Sequence, residues 1–177
     1  MHATPIIHDL HAWLRWCTGR SMSAARTLTE QELHRPFEMG LGSVFATLLH
    51  LYGAERLWIL VIQGETEGLS MPTQNEFPTL DAIAKDWPRV RKQWDALLDA
   101  PSDAELTRNV VRVRDGREYR QRVLDALVQL PTHALYHNAQ LSSMFRQMGK
   151  QLPDSSYIIW AREQADARTG AAAAIRA

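Results

Sequence analysis

Apolar residues recur at intervals of three and four along the start of the chain. Ile6, Leu10, Trp13, Leu14 and Cys17 fall on one face of a helix predicted from Pro5 to about Leu28. Thr4 stands where a cap would, with Pro5 at the first helical position. Thr29-Glu30-Gln31-Glu32 repeats a capping pattern and predicts a short turn, ended by Pro36. Beyond Gly40 and Gly42, Ser43 opens a second helix to about Gln63, with Phe45, Leu48, Leu49, Tyr52, Leu57 and Ile59 apolar. Gly64 ends it, and the stretch to Pro78 reads as loop. A third helix follows Thr79, its apolar face made by Ile83, Trp87, Val90, Trp94, Leu97 and Leu98. Pro88 inside it predicts a kink.

One segment breaks the helical period. Val110, Val111 and Val113 lead to Asp115-Gly116, a strong two-residue turn signal, so Leu106 to Tyr119 is expected to contain a small hairpin. A fourth long helix is predicted from about Gln121 to Met148, with Pro131 bending it or starting a new segment. A shorter helix follows from Ser155 to about Arg168, and the alanine-rich residues 170–177 read as a flexible tail. The expectation is an all-α fold: an up-down-type four-helix bundle with a short extra C-terminal helix and a hairpin-like insertion before the fourth long helix. Residues 1–169 would form one domain.

Composition narrows the function classes. The length of 177 residues suits one domain, and a 45% hydrophobic content is too high for wholesale disorder. Twenty basic side chains are balanced by 20 acidic ones. That removes the basic excess by which nucleic acid and anionic membranes attract proteins, so neither is an expected partner. The six arginines between Arg108 and Arg122, interspersed with Asp115 and Glu118, read as a solvated hairpin face. The single cysteine, Cys17, excludes a disulfide framework and any Cys-rich zinc site. The longest apolar run, Leu57 to Ile62, is far short of a membrane span, and the first residues lack a signal-peptide pattern. A cytoplasmic location is the expectation.

Histidines carry the candidate chemistry: His2, His8, His11, His34, His50, His133 and His137. On a helix, His133 and His137 project from one face, with bases about 6 Å apart. Two such imidazoles can share one divalent ion at about 2.0–2.1 Å per bond, but a third ligand must come from another helix. His50, amid Leu48, Leu49, Leu51 and Tyr52, is the best candidate. His8 and His11 form a rival pair near the start of the chain and read as a solvated face. The H-x-x-x-H spacing is not the zinc-protease motif, since Ala134 stands where that motif has its glutamate. By spacing alone, satisfied boundary histidines are the commoner reading.

Two segments resemble a known family. Gly42-Ser43 leads through Leu48-Leu49-His50-Leu51 to Ala54-Glu55-Arg56-Leu57-Trp58, and Thr132-His133-Ala134-Leu135-Tyr136-His137-Asn138-Ala139-Gln140 follows the hairpin segment. Over about Pro5 to Gln151 the chain resembles the DinB-like (DinB/YfiT) superfamily of metal-binding four-helix-bundle proteins. The resemblance implies a site of His50, His133 and His137 for one divalent ion, zinc or nickel foremost, with iron and cobalt also suited to imidazole. The family also favours glutamine three residues beyond the last histidine, which Gln140 fits; from there it is a candidate to orient a ligand or bound water, a structural helix–helix contact being the alternative. Two stretches depart from the family pattern. Asn138-Ala139 stands where many relatives have arginine and glycine, and Trp13, Trp16 and Thr18 stand where the first helix often carries Tyr-x-x-Trp-x-Asn.

The activities implied are activation of a low-molecular-weight thiol for transfer or isomerisation, or metal-dependent hydrolysis, on a small substrate. A homodimer is the expected assembly. The alternative is a non-catalytic bundle whose ion ties two helices together in a structural, sensing or dimerisation role. Glu55, Tyr52 and Tyr136 are further pocket candidates because they lie near the ligands in sequence, although Glu55 stands about 140° around the helix from His50. No residue is assigned as general base.

Overall fold

The computed structural model describes residues 4–99 and 101–169. Its elements are α1 (Thr4–Ala25), α2 (Glu30–Leu33), α3 (Val44–Gln63), α4 (Leu80–Leu98), α5 (Asp103–Thr107), β1 (Asn109–Arg114), β2 (Arg117–Arg122), α6 (Val123–Gln147) and α7 (Tyr157–Thr169). The fold is mostly helical, with one two-stranded antiparallel sheet. The alanine-rich residues 170–177, expected to form a tail, lie outside the described residues.

Local chemistry sets the boundaries. Thr29 Oγ1 accepts from the Glu32 amide at 3.3 Å, and Glu32 Oε2 accepts from the Thr29 amide at 2.9 Å, which closes a capping box on α2. Ser43 and Thr79 cap α3 and α4 by accepting amide protons from Ala46 and Ala82, each at 3.1 Å. α3 ends on Gly64, whose φ of 102° suits a residue without a Cβ. α1 stops at Ala25, three residues before the predicted end, and α5 was not anticipated from the pattern; Ser102 caps it. The hairpin runs past Tyr119 to Arg122, pairing Asn109 with Arg122 and Arg114 with Arg117.

α1 packs on α6, α6 on α3, α3 on α4, and α4 on α1, around one core. Leu48, Tyr52, Ile83, Trp94, Leu127, Leu141 and Phe145 are among its fully buried side chains. Each leucine or phenylalanine so buried contributes about 1.5–3 kcal/mol. α3 is the most apolar of these helices. By length and composition it is long enough to cross a membrane, although Glu55 and Arg56 interrupt the contiguous run seen in sequence. In the fold 72% of that window is buried. At Gly53 the missing side chain is replaced by Pro72 and Met71, so the loop between α3 and α4 lies directly on the α3 backbone.

Neither internal proline ends its helix: α4 runs through Pro88 and α6 through Pro131. Pro131 has no amide proton to give the carbonyl of Leu127, four residues earlier. That carbonyl instead accepts from Nε2 of His11 on α1, at 2.9 Å. His11 is buried, which pushes its pKa down to about 4 and keeps the ring neutral. The expectation of a solvated His8/His11 face is therefore corrected: His8 is exposed, but His11 turns inward to repair α6.

Candidate metal centre

His50 from α3 meets His133 and His137 from α6 where these two helices pack together. The donor atoms of the three rings lie within 4.8 Å of one another. Nε2 of His133 stands 3.0 Å from Nε2 of His50 and 3.0 Å from Nε2 of His137. Nitrogens bound to one ion at about 2.0–2.1 Å would lie about 3 Å apart, so the set matches a shared coordination shell. The one-face geometry expected for residues four apart brings the pair together, and α3 supplies the third ring across the helix interface.

Proton positions strengthen the case. Nδ1 of His137 donates to Oε1 of Gln140 at 2.8 Å, which leaves the neutral ring's Nε2 as a bare lone pair. His133 has one Nε2 proton at most, so it cannot donate along both 3.0 Å contacts at once. Unused lone pairs are thus left facing each other, and a cation resolves the conflict. Burial is the main force lowering all three pKa values. For His133, pushed down to about 4, the charges His137 and His50 would carry add to the effect. The rings are held in the neutral form that ligates metal.

Gln140 is itself fixed from behind. Gly40 has φ of +54°, and a Cβ there would run into the Gln140 side-chain amide. The Gly40 backbone therefore backs the group that orients His137, a contact between residues 100 positions apart that no sequence pattern signals. Tyr136, 63% exposed, sets its ring edge-on to His137 at 5.2 Å between centroids.

The other proposed pocket residues lie elsewhere. The Tyr52 hydroxyl donates to Asp86 on α4 at 2.5 Å, and its ring packs on Phe77 and Trp87. Glu55 is buried with its carboxylate 3.5 Å from Nε of Arg91 on α4, away from the imidazoles. Both residues stand on faces of α3 other than that of His50, as a rotation of 100° per residue requires. The departures from the family pattern also fall outside the site. Asn138 hydrogen-bonds Cys17 and Ser21 of α1. Trp13 and Trp16 donate to Ser155 and Glu163, and Thr18 meets Arg91.

A cleft of about 360 Å³ opens beside the cluster, with His50 and His133 in its wall. Ala54, Leu57, Trp58 and Met71 give it an apolar side; Gln129, Arg112 and Arg114 give it a polar one. The arginines come from β1, whose alternation puts them on the same strand face as Val110. The hairpin turn was legible from the sequence, and counting back from it by twos would have identified these residues. The solvated-face expectation holds for Arg108, Arg114, Arg117, Arg120 and Arg122, which are exposed, and fails for Arg112, which is half-buried.

The chain matches the model of the DinB family over residues 2–169. No curated protein matches it.

Proposed function

Because the chain belongs to the DinB family, and because three imidazoles converge beside an open cleft, we propose that it is a metal-dependent enzyme acting on a small substrate. His50, His133 and His137 would hold one divalent ion, zinc or nickel foremost. The packing order of α1, α6, α3 and α4 supports an up-down four-helix bundle as the scaffold. A cytoplasmic homodimer completes the reading, with light scattering as the check on assembly.

The observation that carries the proposal is the incompleteness of the donor set. A structural zinc site is closed by four protein ligands, whereas a catalytic one keeps a position open. Among the described residues, no fourth histidine, cysteine or carboxylate joins the three rings. Two of the three face the cleft. This favours catalysis over an ion that only ties α3 to α6.

When bound, such an ion supplies Lewis acidity that lowers the pKa of a thiol or water presented to it. The chain's own residues do the rest. Three neutral ligands leave the ion's charge undiminished, and Gln140 keeps the Nε2 lone pair of His137 directed inward. Leu57, Trp58 and Met71 offer an apolar wall. Among the described residues, no carboxylate lines the cleft to act as general base. A thiol, already acidic near pH 8.5, needs no such base once its pKa is lowered. Thiol transfer is therefore favoured over hydrolysis.

Elemental analysis of protein purified without chelators tests the site. The expected result is about one divalent ion per chain, lost in His50→Ala and His133→Ala. Well-folded wild-type protein that stays empty after zinc and nickel are added back would overturn the proposal.

A further inference from the structure

The two faces of the hairpin treat their arginines differently. On the outer face Arg120 pairs with Glu118 at 2.8 Å. At the ends of the hairpin Arg122 pairs with Asp125 at 2.6 Å, and Arg108 with Glu105 at 2.7 Å. The inner face begins with Val110, buried at 3% exposure, and continues with Arg112 and Arg114. Among the described residues Arg112 makes no ion pair and no side-chain hydrogen bond. Its guanidinium instead lies 5.6 Å from the ring centroid of Trp58. Arg114 has only the exposed Asp115 at 3.5 Å, and its partner across the turn is another cation, Arg117. Like charges placed directly opposite each other oppose folding.

The half-buried Arg112 guanidinium thus keeps its donors uncommitted to any protein acceptor among the described residues. Burial first, and then the charge of Arg114, press against the cationic form of Arg112, while Asp115 and Tyr119 act more weakly the other way. The hairpin holds this side chain in the wall of the cleft that His50 and His133 share, where no carboxylate stands among the described residues. The planar guanidinium fork matches carboxylate and phosphate groups bidentately.

We propose that the cleft takes an anionic substrate, its carboxylate or phosphate group held by Arg112 with Arg114 beside it, and its reacting end directed toward His50 and His133. This deepens the metal-site reading and rests on it for the location of the reacting end. The anion contact itself depends on the hairpin alone.

Calorimetric titration of the protein, both as purified and stripped of metal, tests the inference with succinate, inorganic phosphate and neutral succinamide as probes. At least one anion is expected to bind tenfold or more tightly than succinamide, and succinate against phosphate identifies which anion chemistry is preferred. Arg112→Gln should remove that preference, while Arg120→Gln, which deletes the same charge from the outer face, should keep it. Equal binding of succinamide, no binding of either anion, or equal losses in the two variants would overturn the proposal. An Arg112-dependent preference in protein that never takes up metal would sink the metal reading and leave the anion site standing. Metal uptake without that preference would do the reverse.

Discussion

Two places in this molecule hold neutral imidazoles, His11 and His137 buried and His50 and His133 half-buried, and they serve opposite ends. His11 donates its Nε2 proton to the carbonyl that Pro131 leaves open on α6. At the meeting of α3 and α6, three rings turn their Nε2 atoms toward one another and leave lone pairs without protons to share. Burial lowers the pKa at both places, to about 4 for His11 and for His133. A depressed histidine pKa therefore does not separate structure from function here. The state of the ring nitrogen does: used up in one case, available in the other.

The largest expected difference is in metal affinity. Replacing a ligand, as in His133→Ala, should weaken zinc binding more than 100-fold, since even residues behind the ligands are worth 10–100-fold. Equilibrium dialysis against a competing chelator measures it, and unchanged affinity would dissolve the contrast. The same variant, measured metal-free, should unfold at the wild-type free energy or slightly above it, because it removes converging lone pairs.

Acid should act through His11 as strongly as through His133. The folded His11 pKa of about 4 lies below the unfolded value of about 6.5, so protonation favours the unfolded chain. The stability from keeping this ring neutral is fully present above pH 6.5 and is lost as pH falls toward 4, by about 3 kcal/mol in total. The ligand histidines shift in the same direction and add to the slope. Urea unfolding of metal-free protein between pH 7 and 4 should show a slope smaller by one proton in His11→Gln than in wild type. Parallel slopes would mean that His11 is not the group concerned.

A smaller effect comes from leaving the Leu127 carbonyl bare. His11→Leu should lower stability at pH 7 by about 2 kcal/mol, the range for an unsatisfied buried acceptor. Its zinc affinity should stay within twofold of wild type. Coupled losses of stability and affinity would show that the two sites are one unit. Smallest of all, Gln140→Ala should reduce zinc affinity by about tenfold, through misorientation of His137 rather than loss of a ligand.

How much was legible in the sequence follows from the range of each interaction. The long helices, the capping Thr29, Ser43 and Thr79, and the Asp115-Gly116 turn depend on neighbours within four residues, and they stand in the structure near where the pattern places them. The pairing of His133 with His137 is local in the same sense. Proximity in sequence misled for Tyr52 and Glu55, because a helix turns residues two or five positions from His50 toward other neighbours. His11 was misread for a different reason: the partner that draws it inward is created by a proline 120 positions away. Arg112 was hidden inside a count of charges, and only strand alternation separates it from Arg120.

Gly40 has a consequence for how such a chain diverges. It ligates nothing and sits in a segment with no regular structure, so by position it looks free to drift. Yet any side chain there would both strain a left-handed backbone and displace the amide that orients His137. Descendants of this sequence that keep Gln140 are therefore constrained at position 40, and those that abandon glycine must alter both positions in step. The histidines have a silent dependant, and the lineage's freedom to vary is narrower than its ligand set suggests.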